Sequence, residues 1–194
     1  MDIEHVPAFY DRNASSKSQS KLVNVKIRSM EEAKRICIAY IDAANLDRAL
    51  RDLNWKLDYK KFRVWLADKY NIERAYIFIG LIPKYKDLYT YFQECGFTLV
   101  FKEVIYQGTG TPKGNCDTDL IMQAIDDAYE GRLEKALLVS SDGDYAPLVK
   151  KLQSRQQFLG ILSPALAKKC SILLKRTDAK IAYINDQKNL LEIK

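Results

Sequence analysis

Three aspartates and an asparagine stand where apolar runs of this chain stop. Asp42 and Asn45 follow the run from Ile36 to Ile41, and Asp142 and Asp144 follow the run from Ala136 to Ser141. Between them, Lys113-Gly114-Asn115-Cys116-Asp117-Thr118-Asp119 opens a helical pattern. Short buried strands that each end in an acid, inside an alternation of strands and helices, deliver those acids to one edge of a parallel sheet. At ~5 Å separation and an effective dielectric of ~20, two carboxylates repel by roughly 3 kcal/mol, so such a cluster favours a divalent metal or shifted carboxyl pKa values. The pattern points to a metal-dependent active site.

Each motif has its own reading. Asp42 can ligate metal and Asn45 can hold a water or a substrate phosphate; alternatively, both cap the helix containing Leu46 and Leu50. Asp142 and Asp144, separated by Gly143, can turn inward together to coordinate metal or position water. The same acid pair occurs in phosphatases with an aspartyl nucleophile, but Thr or Val normally stands two residues after the second acid, where this chain has Ala146. Asp117 and Asp119 are two positions apart and cannot share a helix face. Asp117 is the inward one, because Leu120, Ile121 and Ala124 share its face, and Asp119 is expected to face solvent. The stretch Gly108 to Gly114 lacks the spacing and the Lys-Ser/Thr ending of a nucleotide-triphosphate loop, which disfavours ATP or GTP hydrolysis. Among the aromatics, Tyr106 and Tyr145 flank the acidic motifs and are the better candidates for stacking on bases, although aromatics at helical spacing are more often core.

Composition narrows the chemistry further. The only histidine is His5, so histidine triads and two-histidine metal sites are excluded and hydrolysis must rest on carboxylates. Cys37, Cys95, Cys116 and Cys170 are widely spaced, with no zinc or redox pairing, which fits a reducing cytosol. No apolar run reaches the roughly 18 residues of a membrane span, so a cytoplasmic location without membrane contact is expected. The net charge of +6 is unevenly spread. Lys150 to Lys180 carries eight basic residues and one acid, whereas Asn115 to Tyr145 carries eight acids and two basic residues. An acidic cluster beside a basic segment suits an enzyme acting on phosphodiesters, and two ordinary solvated helix faces give the same counts.

These residues need a scaffold. With 194 residues, the length fits one domain (35–194) behind a polar leader (1–34). Strands are expected over Ile36–Ile41, Arg74–Ile79, Phe97–Phe101, Lys135–Val139, Phe158–Leu162 and Ile181–Ile184. Helices are expected over Asp47–Leu53, Asp58–Tyr70, Lys86–Cys95, Asp117–Glu130, Tyr145–Ser154 and Ala165–Arg176, with a short lead-in over Met30–Arg35 and an exposed loop from Gln107 to Gly114. This alternation predicts an α/β, Rossmann-like, doubly wound and mainly parallel sheet with helices on both faces.

Three stretches in this order, Tyr40-Ile41-Asp42-Ala43-Ala44-Asn45-Leu46, Lys113-Gly114-Asn115-Cys116-Asp117-Thr118-Asp119-Leu120 and Leu138 to Leu148 through Ser140-Ser141-Asp142-Gly143-Asp144, resemble the NYN domain of the PIN-like nuclease superfamily, in particular its LabA-like group. The resemblance spans about Ile36 to Ile184. It implies a PIN-like fold and an acidic Mg²⁺ or Mn²⁺ site that cleaves RNA. Carried over by position, it implies Asp42, Asp117, Asp142 and Asp144 as the catalytic acids, with Asp42, Asp117 and Asp142 holding the metal and Asn45 as polar companion. Many relatives carry a further Asp in the helix after the Lys-Gly-Asn motif, where this chain has Gln123.

The leading expectation is a metal-dependent ribonuclease in which Asn45, Lys113, Ser141, Lys150 and Lys151, with Lys168, contact the RNA. A non-catalytic RNA-binding or regulatory module, motivated by Gln123, is the first alternative, and a metal-dependent phosphatase using Asp142 and Asp144 the second. The sequence is compatible with a homo-oligomer.

Overall fold

A computed structural model describes residues 34–103, 105–106, 112–113 and 116–193. Strand β1 (Ile36–Asp42) leads into helix α1 (Ala43–Asp52), then α2 (Tyr59–Tyr70), β2 (Ile72–Gly80) and α3 (Lys86–Glu94). After β3 (Thr98–Lys102), the two-residue strands β4 (Ile105–Tyr106) and β5 (Pro112–Lys113) pair antiparallel. The chain continues through α4 (Asp117–Tyr129), β6 (Leu133–Val139), α5 (Ala146–Ser154), β7 (Phe158–Ser163), α6 (Ile172–Lys175), β8 (Ile181–Tyr183) and α7 (Lys188–Leu191).

The main sheet runs β3-β2-β1-β6-β7-β8, with every pair parallel. Order reverses between β1 and β6. From β1 the chain steps outward to β2 and β3, then crosses back through α4 to β6 and steps outward the other way. At such a switch point the connections leave to opposite sides, which opens a crevice beyond the carboxyl ends of the two central strands. Asp42 ends β1, and Ser140 to Asp142 follow β6.

Alternation along the strands feeds two cores. Cys37, Ala39 and Ile41 of β1 pack with Leu46, Phe62, Leu66 and Phe92 of α1, α2 and α3 on one face. Ile38 and Tyr40 pack with Leu120, Ala124, Val149 and Leu152 of α4 and α5 on the other. The doubly wound fold expected from the sequence is the fold observed.

Besides the unexpected α7 and shifted boundaries, two elements differ most from expectation. The helix predicted over Ala165–Arg176 survives only as α6, because the Ser171 amide donates to the Ser141 carbonyl at 3.1 Å instead of closing a helical turn. The Ser171 side chain then caps the new helix by accepting from the Leu173 amide. The stretch read as an irregular loop contributes β5, paired with Ile105 and Tyr106. The leader, most of the lead-in over Met30–Arg35, and the rest of Gln107 to Gly114 lie outside the described residues.

Candidate active site

The β1 end is shaped by a helix cap. Asp42 has extended backbone angles and its Oδ1 accepts the Asn45 amide at 3.0 Å, so α1 starts at Ala43, four residues earlier than the apolar pattern suggests. The capping alternative therefore describes Asp42. Asn45 lies inside the first turn, and its Oδ1 accepts both the amide and the hydroxyl of Ser141, at 2.9 and 2.8 Å. This side chain ties the β1 end to the β6 end.

Beyond β6, the Asp142 Oδ1 accepts the Asp144 amide at 3.1 Å and starts a short 3-10 turn, Gly143–Tyr145. Gly143 is required by close approach: a Cβ there would lie 2.4 Å from the Ser171 Oγ and 3.2 Å from Leu173 side-chain atoms. Carboxylate oxygens of Asp117, Asp142 and Asp144 lie within 4.8 Å of one another. Oxygen donors at this spacing fit a hard cation such as Mg²⁺ or Mn²⁺.

Asp42 sits one step behind that group. Tyr145 is fully buried, and its hydroxyl donates to the Asp117 Oδ1 at 2.6 Å while lying 3.2 Å from the Asp42 Oδ2. A phenol has one proton, so both contacts are satisfied together when Asp42 carries a proton of its own. Burial raises the Asp42 pKa, and the charges of Asp117 and Asp142 raise it further against the lowering effect of the Asn45 amide and the Tyr145 hydroxyl. Burial and the two carboxylates likewise push the Tyr145 phenol up, so it stays a donor. Cys116, at the start of α4, is pushed up to about 11 by burial and by the nearby carboxylates.

The remaining predicted residues are placed as follows. Asp119 pairs with Lys102 of β3 at 2.8 Å rather than standing alone in solvent. Gln123, six residues along the helix from Asp117, donates to the Asp127 Oδ1 at 3.1 Å, and fully buried Asp127 also accepts from Tyr40 and Arg132. Lys151 lies 5.7 Å from the ring centre of Tyr129, the last residue of α4. Twelve residues of helix put that site roughly 18 Å along the axis from Asp117, so the structure does not gather Lys151 with the acids. Lys150, on the same helix, and Lys168 are exposed. Lys113 lies in β5 and its side chain, like that of Tyr106, is outside the description.

The sequence reading missed the role of Tyr145. It is not a stacking platform but a buried link between two acids. Its signal was present, since Leu148, Val149 and Leu152 follow at three, four and seven residues and mark an inward stripe.

Among the described residues no helix is long and apolar enough to cross a membrane. The solved structure of a protein of unknown function from Vibrio parahaemolyticus is similar, with a TM-score of 0.63 at 21% identity over 82% of this chain and 97% of that one. That likeness concerns the fold. No curated protein matches the chain. Residues 37–183, which include the acids at the ends of β1 and β6 and at the start of α4, match the NYN domain. The chain belongs to the NYN domain family.

Proposed function

We propose that this protein is a divalent-cation-dependent ribonuclease of the LabA-like group, hydrolysing RNA phosphodiester bonds at the edge between β1 and β6, with the residues before Arg35 as a leader outside the domain and the cytoplasm as its location. The observation that carries this reading is the convergence of Asp117, Asp142 and Asp144 within 4.8 Å at the switch point of an NYN chain. These three residues would hold the Mg²⁺ or Mn²⁺. When bound, such an ion supplies Lewis acidity to the phosphate and makes a water more acidic.

The chain's own residues prepare the edge. Tyr145 directs its single proton at Asp117 and keeps that carboxylate turned toward the cluster. Asp42 stands behind the cluster within reach of the same hydroxyl, its carboxyl pKa raised by burial and by the charges of Asp117 and Asp142. Asn45 fixes Ser141, and through it the turn bearing Asp142 and Asp144.

The test is cleavage of single-stranded RNA with and without Mn²⁺, for the native chain and for Asp142→Asn. Mn²⁺-dependent cleavage abolished by the substitution is expected. Binding without cleavage by the native chain would favour a non-catalytic RNA-binding module, and phosphate release from small monoesters alone would favour a phosphatase.

A further inference from the structure

Beside the acids, the same edge opens into a cleft of about 690 Å³, in the size class of small-ligand sites. Its lining joins Asp42, Asp117 and Asp142 to the aromatic side chains Tyr59, Phe92 and Phe78, the last paired with Asp42 in the β1–β2 register. Tyr85 and Leu88, on the segment after β2, form part of the same wall and are 42% and 39% exposed.

The aromatic part of the lining is held in shape by its surroundings. Tyr59 packs on Phe92 with ring centres 4.5 Å apart, and Phe78 is buried. The Tyr89 hydroxyl accepts the Ile82 amide and donates to the Gly80 carbonyl, both at 2.9 Å, which fixes the connection leading to Tyr85. Cations stand nearby. The Lys84 ammonium lies 4.9 Å from the Tyr85 ring centre. Arg48 of α1 is exposed on the cleft wall and makes no ion pair among the described residues; its neighbour Asp47 pairs with Arg51 instead.

We propose that this cleft is a nucleobase subsite, in which an unpaired base of single-stranded RNA lies against Tyr85 and Leu88 while its backbone runs past Arg48 toward the acids. The inference rests on the ribonuclease reading and names its substrate class. A flat, uncharged base suits the aromatic part of the lining, where exposed Tyr85 offers a ring and Lys84 a neighbouring cation, the combination that binds single strands without sequence readout. A phosphate is repelled by the bare carboxylates of the same cleft and requires the cation they would hold. The base and its phosphate therefore match the two parts of the lining in chemistry. Bases of an A-form duplex are stacked inside the helix and cannot enter.

The test is fluorescence anisotropy with short labelled single-stranded RNA, with Ca²⁺ in place of Mn²⁺ to limit cleavage, on the native chain, Tyr85→Ala, Tyr85→Phe and Arg48→Glu. Tyr85→Ala is expected to lower affinity about 5- to 150-fold, the range of a lost base stack, and Tyr85→Phe to stay near native. Arg48→Glu should also weaken binding and flatten its dependence on salt. An abasic position moved along the RNA should weaken native binding at one place relative to the cleaved bond and add nothing further in Tyr85→Ala. Exposed Tyr85 should be replaceable without loss of folding, which circular dichroism checks; if Tyr85→Ala does not fold, Leu88→Ser and the abasic scan carry the test. RNA bound and cleaved normally by Tyr85→Ala and Arg48→Glu would overturn the subsite and leave the ribonuclease reading standing. A native chain that neither binds nor cleaves RNA would overturn both.

Discussion

The Asn45 side-chain oxygen accepts two hydrogen bonds from Ser141, one from its amide and one from its hydroxyl, across the switch point of the sheet. Asn45→Ala leaves the part-buried Ser141 amide without its acceptor and should cost roughly 1–3 kcal/mol. Asn45→Asp keeps an acceptor and should fold, with its added charge weakening activity unless the cation concentration is raised. Chemical denaturation of both variants checks this; an undestabilised Asn45→Ala would show that the bond does not hold the edge together.

Tyr145→Phe deletes one hydroxyl and keeps the buried ring. Asp117 then loses the 2.6 Å bond from that hydroxyl, and Asp42 loses its 3.2 Å contact with it. Residues behind a ligand shell typically contribute about 10- to 100-fold in metal affinity or activity, and a loss in that range is expected. Calorimetric Mn²⁺ titration beside a cleavage assay reads both quantities, and native values in both would remove the positioning role.

Asp42→Asn should stabilise the cation-free protein. The Asp42 pKa is raised chiefly by burial, so the folded chain holds this proton to higher pH than the unfolded chain does. Stability therefore falls as pH rises from the ordinary aspartate value near 4 through the raised value. Asn removes that loss, still caps α1, and offers an N–H to the Tyr145 oxygen. In chelator, the variant should melt above the native chain at neutral pH, with the gap closing toward pH 4. A gap that widens toward acid would contradict the assignment.

The scaffold was legible because two patterns carried it. Continuous apolar runs in β1 and β6, buried on both faces, and helical stripes such as Leu120, Ala124 and Ala128, buried on one, dictate the positions of these elements in the fold. The acids followed from that scaffold, since a strand that ends in Asp places it at the edge. Contacts between distant segments were not legible. Nothing in the spacing indicated that Ser171 would give its amide to Ser141 and cut a helix short, or that Lys151 would meet Tyr129 far from the acids. The aromatic cleft was hidden for a related reason: Tyr59, Phe78 and Tyr85 come from three separate elements, and each alone reads as core.

Gly143→Ala tests one of those distant contacts. The added Cβ would meet the Ser171 Oγ at 2.4 Å and Leu173 at 3.2 Å, so either these side chains or the turn bearing Asp142 and Asp144 must shift. Overpacking of this kind costs about 1–3 kcal/mol. Ser171→Gly in the same chain removes the nearer clash at only a few tenths of a kcal/mol in capping, and should recover part of the loss. Thermal melts of the single and double variants check this; additive losses would mean that Ser171 is not the obstacle.

Asp142 and Asp144 differ in one respect that predicts how their variants should behave. Asp142 both belongs to the three-acid group and accepts the Asp144 amide, whereas the Asp144 side chain belongs to the group and is exposed. Asparagine keeps the acceptor at 142, so neither Asp142→Asn nor Asp144→Asn should disturb the turn. Each removes one of three charges facing the same point, and the two should lower Mn²⁺ affinity and turnover together, by at least the roughly 10-fold that outer-shell changes alone produce. Titration calorimetry and cleavage rates at saturating Mn²⁺ separate the alternatives. If Asp144→Asn bound Mn²⁺ as tightly as the native chain and only slowed turnover, Asp144 would orient water from outside the ligand shell, and the closeness of its carboxylate to the other two would reflect turn geometry alone.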